Sequence, residues 1–224
     1  MFNNFLIALP AFNEEKNIQK LIISLIKKFK HIIVIDNCSS DKTYEIVKKF
    51  PIIFTKHEVN LGKSLSMKTC FDYAEIKNFK YIAYMDADGQ HNVNDLIKLC
   101  KKIEEENLDA VVGYRNNLGE LNFKKRVGTL ILEKIFKLLY KKDIKDIQSG
   151  LRVLKVDVLK RIRWESKGIT HYFADAEITC NLIKNNNKIG QLPIETIASE
   201  PYKGMNIIQG LFLMTKLFSW RLIK

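Results

Sequence analysis

The sequence predicts a single α/β domain spanning residues 1–224, built on a mainly parallel sheet with helices on both faces. Three observations carry this. Short apolar runs alternate with longer amphipathic stretches through the first half. The chain is long enough for one sizeable core but tight for two. No repeat, low-complexity tract or linker divides it.

The elements follow in order. Residues 5–9 (Phe-Leu-Ile-Ala-Leu) are a buried strand, and Asn13-Glu14-Glu15 opens a helix over 13–28. Asn13 is the expected N-cap, with the two Glu residues at the positive helix end. Residues 32–35 are a second strand; Ser40 or Asp41 then caps a helix over 42–49. A third strand covers 52–54 after Pro51, and Leu61-Gly62 leads into another helix. Residues 81–85 form the fourth strand, Asn94-Asp95 starts a helix ending near 106, and 110–112 form the fifth strand. The second half has a different rhythm: a basic amphipathic helix over 121–140, a polar turn at 146–150, a short strand over 151–154, a helix over 173–185, a strand over 188–194 and a terminal helix over 207–222.

Such alternation implies parallel strands, and ligands in these sheets bind outside the carboxyl ends. That puts 10–13, 36–40 and 86–91 on one rim.

Composition narrows the partners. Lys and Arg exceed Asp and Glu by 12, so the surface attracts anions: nucleic acid, anionic lipid or a phosphate-bearing substrate. Many single Lys residues on helix faces only solvate. Cys38, Cys70, Cys100 and Cys180 have no zinc-ligand spacing and read as free thiols, and the four His form no cluster. No secretory h-region and no uncharged run of roughly 18 apolar residues is present, which predicts a cytoplasmic protein, peripheral on the cytoplasmic face of a membrane.

The sharpest motif is Met85-Asp86-Ala87-Asp88-Gly89-Gln90-His91. Two carboxylates at i and i+2 on a strand end repel each other near a low-dielectric edge. A divalent cation removes that cost and clamps diphosphate oxygens, with Gln90 adding a neutral ligand. The bland reading is a solvated turn; the other two polar clusters on the same rim favour metal. In Asp36-Asn37-Cys38-Ser39-Ser40-Asp41-Lys42-Thr43, Asp36 ends a buried strand and can accept nucleobase hydrogen bonds. Pro10-Ala11-Phe12-Asn13-Glu14 alone is an ordinary strand-to-helix turn.

Together these three segments resemble, in order and spacing, the family 2 glycosyltransferases, nearest the dolichyl-phosphate mannose synthase and bacterial polyprenyl-phosphate branch. The resemblance continues through Asn60-Leu61-Gly62-Lys63, Gly113-Tyr114-Arg115, Asp146-Ile147-Gln148-Ser149-Gly150-Leu151-Arg152 and Leu192-Pro193-Ile194-Glu195-Thr196-Ile197, covering nearly the whole chain. It implies a GT-A fold with a Rossmann-like sheet: a nucleotide-sugar half over about 1–115, an acceptor-side extension over about 116–204 and an amphipathic tail over about 205–224. It implies that Pro10, Phe12, Glu14, Asp36, Asp86, Ala87 and Asp88 line the nucleotide-sugar pocket and that Asp88 and Gln90 hold Mg²⁺ or Mn²⁺. Arg115 would meet donor or acceptor phosphate, Ser149 and Arg152 would lie beside sugar and acceptor, and Lys203 would contact phosphate. The implied reaction is inverting, metal-dependent transfer from a UDP- or GDP-linked sugar to a polyprenyl or dolichyl phosphate, or alternatively to a saccharide hydroxyl. The chain departs from the family at Asn37, usually acidic, at Cys38, usually Gly, and at Tyr202-Lys203-Gly204-Met205.

A hydroxyl acceptor needs a base, for which Asp175 and Glu177 are the candidates, whereas a lipid phosphate needs none. Their bland reading is helix N-terminal acids complementing the dipole. The helices over 121–140 and 207–222 carry Lys and Arg beside Leu, Ile and Phe, and the second has Trp220 at its edge. That pattern suits an anionic membrane surface, or else completes the core or a homodimer interface. Two readings compete. A nucleotidyltransferase would show a Gly-rich basic loop after the first strand, but here the loop is acidic and glycine-free. A nucleic-acid-binding module would explain the charge, yet the acidic rim repels phosphate and no aromatic-basic strand motif is present, so no nucleic-acid partner is expected.

Overall fold

The computed structural model describes residues 2–115, 123–162, 164, 173–195 and 207–222. The first strand, β1 (Phe5–Ala11), is buried on both faces: Phe5, Ile7 and Leu9 enter one core cluster, Leu6 and Ala8 the other. That two-sided burial is what a nearly continuous apolar run means in a central parallel strand. After it come α1 (Ile18–Ile26), β2 (Ile32–Asp36), α2 (Thr43–Val47), β3 (Ile53–Lys56), α3 (Gly62–Ile76) and β4 (Tyr81–Tyr84). Then follow α4 (Val93–Glu105), β5 (Ala110–Arg115), α5 (Phe123–Tyr140), β6 (Arg152–Lys155), α6 (Val156–Leu159), α7 (Ala174–Lys184), β7 (Ile189–Ile194) and α8 (Ile207–Leu222).

The strands form one sheet in the order β3-β2-β1-β4-β6-β5-β7. All neighbours run parallel except β6, which is antiparallel to both β4 and β5. Helices α1 and α4 bury Ile18, Ile22, Leu96 and Ile103 against one face. Helices α3, α6 and α7 bury Met67, Leu159 and Ile178 against the other. A third cluster joins α5, α7 and α8 through Phe136, Tyr140, Cys180, Leu213 and Leu217. The reversal of β6 matters for function, because it brings the N-terminal end of β6, and the 146–150 turn before it, to the rim where β4 and β5 end.

Several expectations change. Helix α1 begins at Ile18, and Asn13 is not its cap. Asn13 has φ 56 and accepts the Ser40 N–H through its side chain at 2.9 Å, so it ties two loops together. Strand β3 starts one residue later than the sequence suggests, and α6 was not foreseen. Trp220 does not edge the terminal helix but is buried in the third cluster. The four cysteines are unpaired. Among the described residues no helix is long and apolar enough to cross a membrane.

Candidate active site

A cavity of about 320 Å³ opens on the rim formed by the ends of β1, β2, β4 and β5, a size suited to a small-molecule ligand. Its floor begins with Pro10, Ala11, Phe12 and Glu14. The loop carrying them is fixed by its backbone. Asn13 N donates to Ser39 Oγ at 2.9 Å, Glu14 N to Thr43 Oγ1 at 2.8 Å and Glu15 N to Asp41 Oδ2 at 3.0 Å. Asp41 Oδ1 also accepts the Thr43 N–H at 2.9 Å, although the N-cap position of α2 falls on Lys42 and neither Ser40 nor Asp41 is the cap the sequence suggests. Phe12 remains 42% exposed, an aromatic face open at the cavity mouth.

On the next strand it is Asn37 that reaches the wall, not Asp36. The Asn37 N–H extends the ladder to Ala11 O at 2.8 Å, which turns Asp36 beneath it. Asp36 is buried, its Oδ1 accepts the Ser39 N–H, and its Oδ2 lies 3.9 Å from Lys56 Nζ with no hydrogen bond. The Asn37 amide donates to Asn60 Oδ1 at 2.7 Å and accepts from Leu61 N at 2.9 Å, with His57 Nδ1 at 3.1 Å.

Electrostatics organise the centre. Asp86, Ala87, Asp88, Gln90 and His91 line the cavity from the end of β4. Lys63, at the start of α3, places Nζ 2.6 Å from Asp86 Oδ1 and 2.7 Å from Asp175 Oδ2. Burial alone would raise the Asp86 pKa, but Lys63 and, less strongly, His91 hold it below the ordinary carboxylate value. Lys63 is itself held in its charged form, burial being outweighed by Asp175 and Asp86. Asp88 is the opposite case: burial, then the charges of Asp86 and Glu14, push it up to about 6, although its Oδ1 accepts the Gln90 N–H at 3.0 Å. Burial lowers His91, against the pull of Asp86. The turn around Asp88 depends on Gly89, whose φ of +78 an L side chain rarely adopts.

Opposite lies the 146–150 turn. Arg115 forks onto Asp146, Nε at 2.6 Å from Oδ2 and Nη2 at 2.7 Å from Oδ1, which fixes the guanidinium in the wall. Gln148, Ser149 and Gly150 complete that side. A Cβ at Gly150 would overlap the Asp86 carboxylate, so only glycine lets the turn approach β4 this closely. Behind it Arg152 is wholly buried, donating to Asp175 O at 2.7 Å, Thr179 Oγ1 at 3.3 Å and Ser149 O at 2.5 Å, with its Nη2 3.2 Å from Asp175 Oδ1.

Of the residues singled out in the sequence, Pro10, Phe12, Glu14, Asp86, Ala87, Asp88, Gln90, Arg115, Ser149 and Asp175 share this cavity. Asp36, Arg152 and Glu177 are buried outside its lining, and Lys203 lies outside the described residues. Arg152 points between the sheet and α7, so it supports Ser149 and Asp175 and does not face a substrate. Lys63, Asp146 and Gly150 stand in segments that carry the family resemblance but were given no role in the site. Lys63 carried a signal: a cation beside Gly62 where a helix starts on the same rim.

Whether a divalent cation fits is answered by the donors. Among the described residues no group of three His, Cys, Asp or Glu forms a closed cage. Asp88 and Gln90 supply oxygen ligands on one side only, which suits Mg²⁺ or Mn²⁺ completing its shell from water and ligand phosphates. The raised Asp88 pKa marks uncompensated negative charge that such a cation would relieve. Asp86 already has Lys63, so a cation bound on this rim would fall to Asp88.

Comparison with known proteins gives the family and the fold. The sequence profile described as Glycosyl transferase family 2 matches residues 6–163. An uncharacterized protein of Methanocaldococcus jannaschii is 34% identical over 94% of this chain and 89% of its own. The UDP-N-acetylglucosamine–dolichyl-phosphate N-acetylglucosaminyltransferase of Methanococcus voltae is 30% identical over 96% and 95%. The polyprenol monophosphomannose synthase of Mycolicibacterium smegmatis is 24% identical over 92% and 84%. A crystal structure of Mycobacterium tuberculosis glucosyl-3-phosphoglycerate synthase with Mn²⁺, uridine-diphosphate and phosphoglyceric acid superposes with TM-score 0.76 at 16% identity, covering 98% of this chain and 79% of that one.

Proposed function

The chain belongs to glycosyl transferase family 2 and is a glycosyltransferase of GT-A fold, and on that premise we propose that it transfers a sugar from a nucleotide-diphosphate donor to a polyprenyl or dolichyl phosphate, with inversion. Family membership disposes of the nucleic-acid-module reading. Several relatives are named for lipid-phosphate acceptors, one of them with a UDP-linked donor over nearly the full length of both chains.

The observation that carries the acceptor is the state of Asp175. Its carboxylate is buried between Lys63 at 2.7 Å and Arg152 at 3.2 Å, so it is already engaged as the shared partner of two cations and is not turned to an acceptor hydroxyl. Glu177, the other candidate base, does not line the cavity. A phosphate acceptor arrives ionised and has no proton to give up, so the site has no need of either.

In this reading Phe12 and Asn37 border the nucleobase, and Glu14 borders the ribose side. Lys63 and Arg115 are the cations in the wall that oppose the charge growing on the leaving diphosphate. Bound at Asp88 and Gln90, Mg²⁺ or Mn²⁺ would supply further Lewis-acid stabilisation of that diphosphate. An acceptor phosphate oxygen attacks the anomeric carbon opposite the breaking C–O bond, and nucleoside diphosphate departs. Because a polyprenyl chain stays in a bilayer, the enzyme works peripherally at a membrane, which we place at its cytosolic face.

The test is a panel of UDP- and GDP-sugars with Mn²⁺, following nucleotide release with and without polyprenyl phosphate. Release from one donor should be strongly stimulated by the lipid phosphate, and Asp88→Ala should abolish it while leaving the circular dichroism spectrum unchanged. Stimulation by a saccharide and not by the lipid would overturn the acceptor; full activity of Asp88→Ala would overturn the role of Asp88.

A further inference from the structure

Of the twelve large hydrophobic side chains exposed among the described residues, seven sit on two neighbouring helices: Leu130, Ile131 and Leu138 on α5, and Leu211, Phe212, Phe218 and Leu222 on α8. The helices pack against each other, with Tyr140 Oη donating to Leu217 O at 3.0 Å and Arg221 Nε to Leu139 O at 3.0 Å. Each therefore has a used face and a spare one. Phe136, Tyr140, Leu213, Leu217 and Trp220 are consumed in the core. Leu211, Phe218 and Leu222 recur at helical spacing on the outer stripe of α8, and Ile131 and Leu138 do so on α5.

The charges on these helices have one dominant sign. Lys134, Lys137, Lys141 and Lys142 lie on or just after α5, Lys216 and Arg221 on α8. The acids nearby are spoken for: Glu133 accepts the Asp146 N–H at 2.9 Å and Asp143 pairs with Lys137 at 2.7 Å. Two copies of such a face would repel each other, whereas an anionic bilayer would attract it. The helices also reach the cavity. Phe212 lies 6.0 Å, ring centre to ring centre, from Phe173, two residues before Asp175 in the cavity wall, and Glu133 holds the backbone of the 146–150 turn.

We infer that the outer stripes of α5 and α8 form a membrane-docking surface for anionic lipid, which sets the cavity mouth beside the bilayer. This deepens the lipid-phosphate reading and rests on it for its purpose, but the binding is measured without donor or acceptor, so either idea can fail alone.

The experiment is co-sedimentation of the full chain with vesicles of phosphatidylcholine, with and without phosphatidylglycerol. Two exposed-surface variants accompany it: Leu138→Gln/Phe218→Gln/Leu222→Gln and Lys134→Glu/Lys141→Glu. The wild type should bind the anionic vesicles preferentially and release with salt. Both variants should lose at least about tenfold in partitioning, each burying no new charge and each melting within a few degrees of wild type. Turnover on a short, water-soluble isoprenyl phosphate should survive in both variants, while turnover on vesicle-borne acceptor falls. Equal sedimentation of wild type and variants would overturn the inference. So would a dimer in size-exclusion chromatography that only the apolar triple variant converts to monomer, since the face would then be covered by a second copy.

Discussion

Asp88 weakens the fold at neutral pH, a loss that a bound cation would offset. Its pKa of about 6 lies above the 3.8 of an ordinary Asp, so the native state favours the protonated form. The resulting contribution to stability is fully present below about pH 4 and is lost as pH rises through 6. At roughly 1.4 kcal/mol per unit the loss at neutral pH is at most about 3 kcal/mol. Asp88→Asn in chelator should therefore melt above wild type at pH 8, with the gap closing between pH 6 and 4; thermal melts across that range check it, and a constant gap would refute it. Adding Mn²⁺ with nucleotide should favour wild type instead. The motif around Asp88 was legible because the acids stand two apart at a strand end. The pairing of Lys63 with Asp175 was not, because the two stand 112 residues apart and no local pattern encodes it.

At the scale of elements, the alternation of apolar runs and amphipathic stretches located β1, β2, β4 and β5, whose burial leaves a strong sequence signal, and it also located β3 and β7, which are only partly buried. It could not reveal that β6 runs antiparallel: direction depends on the path of the preceding segment, not on apolar spacing. Asn13 illustrates the same limit, a good N-cap residue by type, drawn instead into a tie between loops 27 residues apart. Helix α7 carries the acceptor argument, and it can be tested as an element. If Asp175 clamps Lys63 and Arg152, Asp175→Asn should lower kcat on a lipid phosphate by no more than about tenfold and leave its pH profile in place, whereas loss of a general base costs about 10²–10⁴. Arg152→Met should instead destabilise the domain by roughly 3–5 kcal/mol in urea unfolding, because it strips a partner from buried Asp175. A collapse of kcat in Asp175→Asn with stability unchanged would reinstate the base.

The whole molecule closes its cavity with pieces from both halves of the chain: Glu14 and Asp88 from the first, Ser149 and Asp175 from the second. A ligand spanning them should therefore stabilise the domain as one cooperative unit. If Asp88 and Gln90 hold the cation, metal alone should bind weakly, and nucleoside diphosphate alone should meet the acids Asp86, Asp88 and Glu14 with only Lys63 and Arg115, both already paired, to offset them. Together each supplies what the other lacks. At ligand concentrations near 100 times Kd the gain is about 2.7 kcal/mol, which for a domain of this size raises Tm by about 5–10 °C. Differential scanning fluorimetry with UDP, with Mn²⁺ and with both should show a shift from the pair that exceeds the sum of the separate shifts. Asp88→Ala should leave the two effects merely additive, because the nucleotide can still contact Phe12 and Lys63 while the metal has lost its carboxylate. A full shift from nucleotide in chelator, or one undiminished in Asp88→Ala, would mean that Lys63 and Arg115 hold the diphosphate unaided and that the acidic pair serves another purpose.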